Sequence, residues 1–181
     1  MNSQLNPDNM LGKPKTTEQA LAWFDSLEPV TIEAVLGQWR GSGVATGHPM
    51  DGLLENFGWW GKEFVSEEAV HPLVFKRPLG GTVRLNPDWM PLKYARNTPL
   101  ARHVAVRMAF KALMPVLRTR KSKARLRMLE YRGKVSATMV YDGKPINDIF
   151  RQIDSDTLLG LMDLKGMKRP FFFKLERFQQ P

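Results

Sequence analysis

The sequence predicts a mainly β fold of the α+β class, in which an antiparallel sheet closes into a barrel beside an N-terminal helix and one long central helix. Two observations support this prediction. The last third of the chain alternates apolar and polar residues in short segments, as half-buried strands do. Glycine-containing turns, Arg132-Gly133 and Asp142-Gly143, separate these segments, and sequential strands joined by tight turns are typical of meanders that close on themselves.

The N-terminal half is predicted to contain one helix and several short strands. Thr16 or Thr17 is a suitable cap for a helix over 17–27. The glycine-rich stretch 36–47 predicts a strand with room for close backbone approach. The further predictions are one or two helical turns over 49–57, and strands over 59–64, 69–76 and 81–85.

The longest predicted helix spans Thr98 to Arg118, and we expect it to cover one mouth or one side of the barrel. Pro99 suits the first turn of a helix, whereas Pro115 is expected to kink or end it. At about 100° per residue, the stripe of basic residues on this helix is narrow. Its members are His103, Arg107, Lys111 and Arg118.

The last third of the chain predicts a hairpin whose register can be specified. If Arg132-Gly133 forms the turn, Tyr131 pairs with Lys134, and one face of the hairpin becomes wholly apolar. The pairs on that face are Met128 with Ala137, Leu126 with Met139, and Ala124 with Tyr141. Further strands are predicted over 146–153, 157–162 and 171–178.

Length and composition limit the class of protein. The 181 residues include 43% hydrophobic and 25% charged residues, as in ordinary globular domains. The absence of cysteine excludes disulfides, thiolate metal sites and cysteine nucleophiles. No signal peptide is evident at the N-terminus, and no uncharged stretch approaches the roughly 18 residues of a spanning helix. We therefore expect a soluble, cytoplasmic protein, with no cofactor and no metal.

The expected organisation is one compact domain over 16–181 after a mobile tail of residues 1–15. Three segments make up the domain. The first, 16–92, contains the N-terminal helix and the first strands. The second, 93–123, is basic and helical, and the third, 124–181, is a β-meander.

The formal net charge of +9 is concentrated in one part of the chain. Residues 93–134 contain 13 Lys or Arg and one acid. Such a surface attracts phosphate, and beside an apolar helix face it favours contact with anionic lipid. Nucleic acid is an alternative partner, although no binding motif for it is present, and a solvated helix face is the ordinary alternative. The candidate contact residues are Arg107, Lys111, Arg118, Arg120, Lys121 and Lys123.

Aromatic residues and methionines predict an apolar ligand cavity, since ligand sites are mostly apolar with a few placed polar groups. The alternative is that the same residues fill a core. Lys62, Arg127 or Arg151 could face inward and meet a ligand anion. The candidate ligand-binding residues are Trp39, Trp59, Trp60, Lys62, Phe64, Leu126, Met128, Met139, Tyr141, Met162, Phe171 and Phe173.

Catalytic candidates are few. His48, Asp51 and Glu55 would lie near one another if 49–57 is helical, and could move a proton or bind a metal. The alternatives are that His48 is a turn residue and that Asp51 is an acid in the first turn of the helix. Asp154 and Asp156 lack the glycine and late glutamate of a calcium loop, and are expected in a turn. Neither a nucleophile elbow nor a P-loop is present.

Several motifs of the chain resemble the bacterial family that is named for a Gly-x-Trp-x-Gly motif and whose C-terminal part is a domain of unknown function. The resemblance covers most of residues 30–178, and it implies boundaries rather than a mechanism. The N-terminal motifs are Gly37-Gln38-Trp39-Arg40-Gly41, Thr46-Gly47-His48-Pro49, Gly58-Trp59, Gly61-Lys62 and Phe64. The C-terminal motifs are Arg132-Gly133, Ala137-Thr138-Met139, Tyr141-Asp142, Pro145-Ile146, Asp148, Phe150-Arg151, Gly160-Leu161-Met162-Asp163 and Phe171-Phe172-Phe173.

A second resemblance is at the level of fold. Gly37-Gln38-Trp39 is similar to the Gly-x-Trp of the first strand in lipocalins and fatty-acid-binding proteins, whose last strand often has an Arg that lies over the Trp. The resemblance implies that Trp39 and Arg177 close one end of the barrel by cation–π stacking. The basic segment 93–123 has no counterpart in a simple lipocalin.

The leading hypothesis is a non-enzymatic, lipocalin-like barrel that binds or carries a fatty acid, a phospholipid or a similar hydrophobic ligand. A small-molecule enzyme that uses His48 is the first alternative. A nucleic-acid-binding module is the second. The sequence does not predict the oligomeric state.

Overall fold

The computed structural model of the protein describes residues 14–90 and 103–179. Within these residues the sheet has ten strands, and all their pairings are antiparallel. The strands are β1 (Glu28–Pro29), β2 (Gly37–Gly43), β3 (Trp59–Phe64), β4 (Val70–Lys76), β5 (Thr82–Arg84), β6 (Ala124–Tyr131), β7 (Lys134–Tyr141), β8 (Ile146–Asp154), β9 (Thr157–Leu164) and β10 (Phe171–Arg177). The helices are α1 (Thr17–Ser26), α2 (Ile32–Val35), α3 (Leu53–Asn56) and α4 (Val104–Leu117), and a 3-10 turn spans Pro87–Trp89.

The strand pairings form a closed ring. Neighbours follow the order β8-β7-β6-β4-β3-β2-β10-β9, and β9 pairs again with β8. β1 and β5 extend the ring beside β8 and β4. Of the neighbouring strands in the ring, β4 and β6 share the fewest register pairs, with Val70 and Ala124 as the partners. A mainly antiparallel β fold with few helices is therefore confirmed.

α1 packs on the outside of the ring. Thr16 caps it by accepting from the Gln19 N–H, and Ala20 and Phe24 are buried against β8, β9 and β10. At the β6–β7 turn, Arg132 donates to both carboxylate oxygens of Asp25 at 2.6 Å, which lowers the pKa of Asp25. One face of the sheet around β8 is therefore covered by a helix, while the other face points into the ring.

Arg177 and Trp39 lie together at one end of the ring. The guanidinium carbon is 4.2 Å from the indole centroid, and the same guanidinium donates to the carbonyls of Leu36 and Ala34. The Trp39 indole donates to the Val35 carbonyl at 2.7 Å. These contacts tie α2 to the ends of β2 and β10.

Gly61 sits where the β3–β4 register shifts. Its φ is 151°, and a Cβ there would lie 1.8 Å from the Trp39 carbonyl oxygen. In a regular strand, residues three apart face opposite sides of the sheet. Across the shift at Gly61, both Trp59 and Lys62 instead line the interior of the ring.

Most sequence-predicted elements are present. The β6–β7 hairpin has the predicted register along its whole length. The central helix begins at Val104 within the described residues, while the predicted start at residues 98–102 lies outside them. Pro115 does not end this helix, which continues to Leu117. The two-residue strand β1 and the single turn α2 were not predicted, because elements this short carry no periodicity.

Gly61→Ala is expected to destabilise the protein by about 3 kcal/mol or more, because the added methyl group meets backbone that cannot move aside. Gly80→Ala is the matched control. Gly80 also has a positive φ of 95°, but no atom lies within 4 Å of its Cβ position, so we expect a loss of about 1 kcal/mol. Urea denaturation measures both; equal losses would show that the close approach to Trp39 is unimportant.

Candidate ligand-binding cavity

The ring, α3 and α4 surround an apolar cavity of about 470 Å³, a volume typical of small-molecule sites. Strand residues form its walls, and α4 lies across its mouth. Charged side chains in the lining are Lys62, Lys144 and Asp148. The apolar and aromatic lining residues are Met50, Leu53, Leu54, Phe57, Trp59, Leu73, Phe75, Pro87, Trp89, Met90, Val106, Ala109, Phe110, Leu113, Leu117, Tyr141, Ile146, Met162, Phe171 and Phe173.

A buried ion pair lies in this apolar lining. The Lys62 Nζ is 2.8 Å from Asp148 Oδ2, and the two side chains are 3% and 1% exposed. The ammonium also donates to the Pro72 carbonyl at 3.3 Å. Burying an isolated charge costs much free energy. Even a buried ion pair is often less stabilising than two apolar side chains of similar volume.

Three aromatic rings complete the surroundings of the Lys62 ammonium. Its nitrogen lies 4.9 Å from the Phe173 centroid, 5.7 Å from Trp59 and 5.9 Å from Tyr141. Ring faces attract cations. The charge is thus fixed in place by one carboxylate, one carbonyl and three rings.

Two glycines allow these rings to pack against the strand backbone. A Cβ at Gly41 would lie 2.2 Å from the Trp59 ring, and a Cβ at Gly160 would lie 2.3 Å from the Phe173 ring. Gly41 is the last residue of the Gly-x-Trp-x-Gly motif. The motif therefore shapes the wall of the cavity beside Lys62.

Asp148 is not fully satisfied by Lys62. Its Oδ1 is buried and has no hydrogen-bond partner among the described residues, and the same holds for the Trp59 Nε1. Burial raises the pKa of Asp148, and Lys62 opposes that rise. Burial also raises the pKa of Tyr141 well above its usual range. Perturbed titratable groups in a cleft are typical of functional sites.

α4 contributes its inner face to the cavity lining. The centroid of the Phe110 ring lies 4.9 Å from the centroid of the Phe57 ring and 5.4 Å from that of the Phe75 ring. The end of the helix is tied to β5, because the Asn86 N–H donates to the Leu117 carbonyl and Thr119 N–H donates to the Arg84 carbonyl, both at 2.9 Å. The exposed side of the helix carries apolar residues, with Met108 64% and Val116 79% exposed, together with Arg107 and Lys111.

The predicted ligand-binding residues fall into three groups. Trp59, Lys62, Tyr141, Met162, Phe171 and Phe173 line the cavity. Trp39, Phe64, Leu126 and Met139 are buried in the core around it without being part of its lining.

Trp60 and Met128 were predicted wrongly as inward-facing. Trp60 points outward, where its ring packs 5.1 Å from Phe178, because the register shift at Gly61 puts Trp59 and Lys62 on the inner face instead. Met128 has the predicted partner, Ala137, but is 42% exposed, since this end of the hairpin extends beyond the cavity.

The three candidate inward cations have different positions. Lys62 is the one that lines the cavity. Arg151 is buried beneath α1, with its guanidinium carbon 4.7 Å from the Phe24 ring. Arg127 is at the surface, paired with Glu67 and Glu68.

His48, Asp51 and Glu55 lie close in the chain and serve the loop after β2. The His48 Nδ1 accepts from the Met50 N–H at 3.1 Å, and Asp51 accepts from the N–H groups of Thr46 and His48 at 2.9 Å. Glu55 accepts from the Gly43 N–H. None of the three is in the cavity lining, and the part of the chain that the structure describes contains no cluster suited to a metal ion. Asp154 and Asp156 form the β8–β9 turn, where the Asp156 N–H donates to the Asp154 carboxylate.

The basic residues around α4 differ in exposure and in ion pairing. Arg107, Lys111, Arg118, Arg120 and Lys121 are exposed. Lys123 differs from the expectation of a free contact residue, because its ammonium pairs with Asp88 at 2.8 Å and is only 22% exposed. No helix among the described residues is long and apolar enough to span a bilayer.

Sequence reasoning did not select Asp148 or the inner face of α4 as part of the site. Asp148 precedes Ile149 and Phe150 within β8, and an acid next to apolar residues in a predicted strand is a signal for a buried partner. For α4 the sequence predicts only an apolar face, because it does not show what a helix packs against.

Comparisons with known proteins identify the family. Residues 22–80 match the model described as "GXWXG protein", and residues 122–177 match "Domain of unknown function (DUF4334)". A protein from Thermomonospora curvata with a crystal structure is 30% identical, with 88% of this chain and 85% of that chain covered and a TM-score of 0.65. No curated protein matches significantly. The chain therefore belongs to the family of GXWXG proteins that contain this C-terminal domain.

Removing either member of the buried ion pair is expected to destabilise the protein by about 3–5 kcal/mol, because the remaining charge loses its partner. Lys62→Met and Asp148→Leu each test this. The double variant should lose less than the sum of the two single losses, since it leaves an apolar pair. A double-mutant cycle from urea denaturation measures the difference; additive losses would mean that the two side chains do not interact.

Stability is expected to fall as the pH drops below about 6.5. Burial lowers the pKa of both His48 and His71 in the folded protein. As the pH falls, these side chains are therefore protonated in the unfolded chain before they are protonated in the folded protein, and the free energy of unfolding decreases. The melting temperature between pH 7.5 and 5.5 measures this effect. In the double variant with His48→Asn and His71→Gln, the melting temperature should depend less on pH over this range. An unchanged dependence would show that other titratable groups cause it.

Proposed function

We propose that this protein binds and carries a hydrophobic or amphipathic ligand in its cavity, and that the ring of strands acts as a lipocalin-like barrel. The observation that carries the proposal is the apolar cavity of about 470 Å³ with a single buried ion pair, Lys62–Asp148, among its described lining residues. Apolar walls supply affinity for a ligand, and a few placed polar groups supply orientation. A carrier needs no further chemistry.

The position of α4 supports a route for ligand exchange. Its inner residues Phe110 and Leu113 line the cavity, while Met108 and Val116 are exposed on its outer side. A helix that is apolar on both sides is unusual at a surface facing water. We propose that the outer side of α4 contacts a membrane while the ligand passes beneath it.

Charge next to this apolar surface favours an anionic bilayer. Arg107 and Lys111 are four residues apart on α4, and both are exposed, so they lie on the same side of the helix. Each basic residue near an anionic surface adds about 1 kcal/mol of attraction. Exposed apolar residues with adjacent cations are typical of interfacial helices.

The alternative functions have less support. An enzyme that uses His48 would need this side chain at a substrate, but His48 is not in the cavity lining and its Nδ1 already accepts a backbone hydrogen bond. Nucleic-acid binding stays a hypothesis that rests on charge alone.

Filling the cavity is expected to weaken ligand binding at least tenfold. Ala109 lies in the lining at the mouth, so Ala109→Trp occupies ligand space. Ala112→Trp, on the same helix and outside the lining, is the matched control and should bind as the unaltered protein does. The neutral fluorophore N-phenyl-1-naphthylamine is a suitable probe; equal binding by both variants, or no binding by the unaltered protein, would contradict the proposal.

Membrane contact is expected to require the cations of α4. The unaltered protein should sediment with vesicles containing phosphatidylglycerol and not with pure phosphatidylcholine vesicles. Arg107→Glu with Lys111→Glu should abolish this binding. Lys165→Glu with Lys168→Glu makes the same charge change at exposed positions between β9 and β10, and should retain it; equal loss in both variants would indicate net charge alone.

A further inference from the structure

We infer that the ligand of the cavity is an apolar alcohol whose hydroxyl group is bound at the Lys62–Asp148 pair, rather than a fatty acid. This inference rests on the proposed function, because it specifies the chemistry of a ligand in the same cavity. It follows from the charge balance of the ion pair, from its unused hydrogen-bonding atoms and from the apolar walls.

The charge of Lys62 is already neutralised. Asp148 Oδ2 lies 2.8 Å from the ammonium, and both side chains line the cavity. A ligand carboxylate at this point would place a second anion beside the Asp148 carboxylate, in surroundings where unbalanced charge is costly. A ligand ammonium would meet the Lys62 cation in the same way. A neutral head group avoids both repulsions.

The unused atoms of the site call for a group that can donate a hydrogen bond. Asp148 Oδ1 is buried and accepts no hydrogen bond from any residue that the structure describes. A buried acceptor without a donor is destabilising, and more so when it is charged. A hydroxyl group supplies the missing donor, whereas an ionised carboxylate has no proton to give.

A hydroxyl oxygen can also accept a hydrogen bond. Trp59 lines the same cavity beside Lys62, and its buried indole N–H has no acceptor within the described ranges. A hydroxyl is both donor and acceptor, so it offers the donor that Asp148 Oδ1 lacks and the acceptor that the Trp59 N–H lacks. Esters and ketones lack the donor, and amines in their usual charged form lack the acceptor.

The remaining cation of the lining lies at a different place. Lys144 donates to the carbonyls of Asp88 and Met90 at 3.1 and 3.3 Å, next to the 3-10 turn at the mouth. A fatty acid bound in the opposite direction would place its carboxylate there. Binding of a carboxylate at Lys144 is therefore the alternative that the test must distinguish from binding of a hydroxyl group at the Lys62–Asp148 pair.

The test compares three ligands with the same chain: decanol, decanoate and decylamine. Each is titrated against the protein with bound N-phenyl-1-naphthylamine, and the dissociation constants are obtained from displacement. We expect decanol to bind at least tenfold more tightly than decanoate or decylamine. The Lys62→Met/Asp148→Leu double variant removes both charges of the ion pair and leaves Lys144 in the lining, and it should lose the preference for decanol over uncharged decyl methyl ether.

Asp148→Asn gives the second readout, because it leaves the Lys62 charge without its counter-ion. In this variant the preference should reverse in favour of decanoate. A preference of the unaltered protein for decanoate that Lys144→Gln removes would overturn the inference and leave the carrier function intact. Equal affinity for all three ligands would also overturn it. If the probe itself does not bind, the proposed function fails together with the inference.

Discussion

The interior of this protein depends on the placement of one buried cation. Lys62 stands in an apolar cavity, where its charge is compensated by Asp148 and by the faces of three aromatic rings. Each of these partners comes from a different part of the chain: β3, β7, β8 and β10. The surroundings of the cation are thus complete only when these four strands have come together.

The glycines of the N-terminal motif serve the same arrangement. Gly61 permits the register shift that turns both Trp59 and Lys62 inward, and Gly41 provides the space in which the Trp59 ring lies. Trp39, between the motif glycines, is stacked under Arg177 and ties β2 to the last strand. A short sequence motif therefore shapes both an end of the ring and a wall of the cavity.

Local patterns predicted the fold better than the site. The register of β6 and β7 followed from alternation, because one face of this hairpin is buried and a slip by one residue would expose it. The strand β8 was predicted over 146–153 and is present, but alternation did not assign its faces, because both are buried: Ile149 and Arg151 pack under α1, while Asp148 and Phe150 face the ring. At Trp60 alternation failed because a register shift inverts the faces. The partner of Lys62 lies 86 positions away in the sequence, and no local pattern specifies such a pairing.

The attachment of α4 has a mechanical consequence. Backbone hydrogen bonds join residues 117–119 to 84–86 at the C-terminal end of this helix, whereas its middle packs through side chains, including the edge-to-face contacts of Phe110 with Phe57 and Phe75. Rotation about the C-terminal end would break ring contacts, which are short-ranged and re-form easily, without breaking the backbone bonds. Among the described residues, the best-anchored part of α4 is therefore its C-terminal end. An outward displacement of the helix would separate Phe110 from Phe57 and Phe75 and would widen the cavity beside β4.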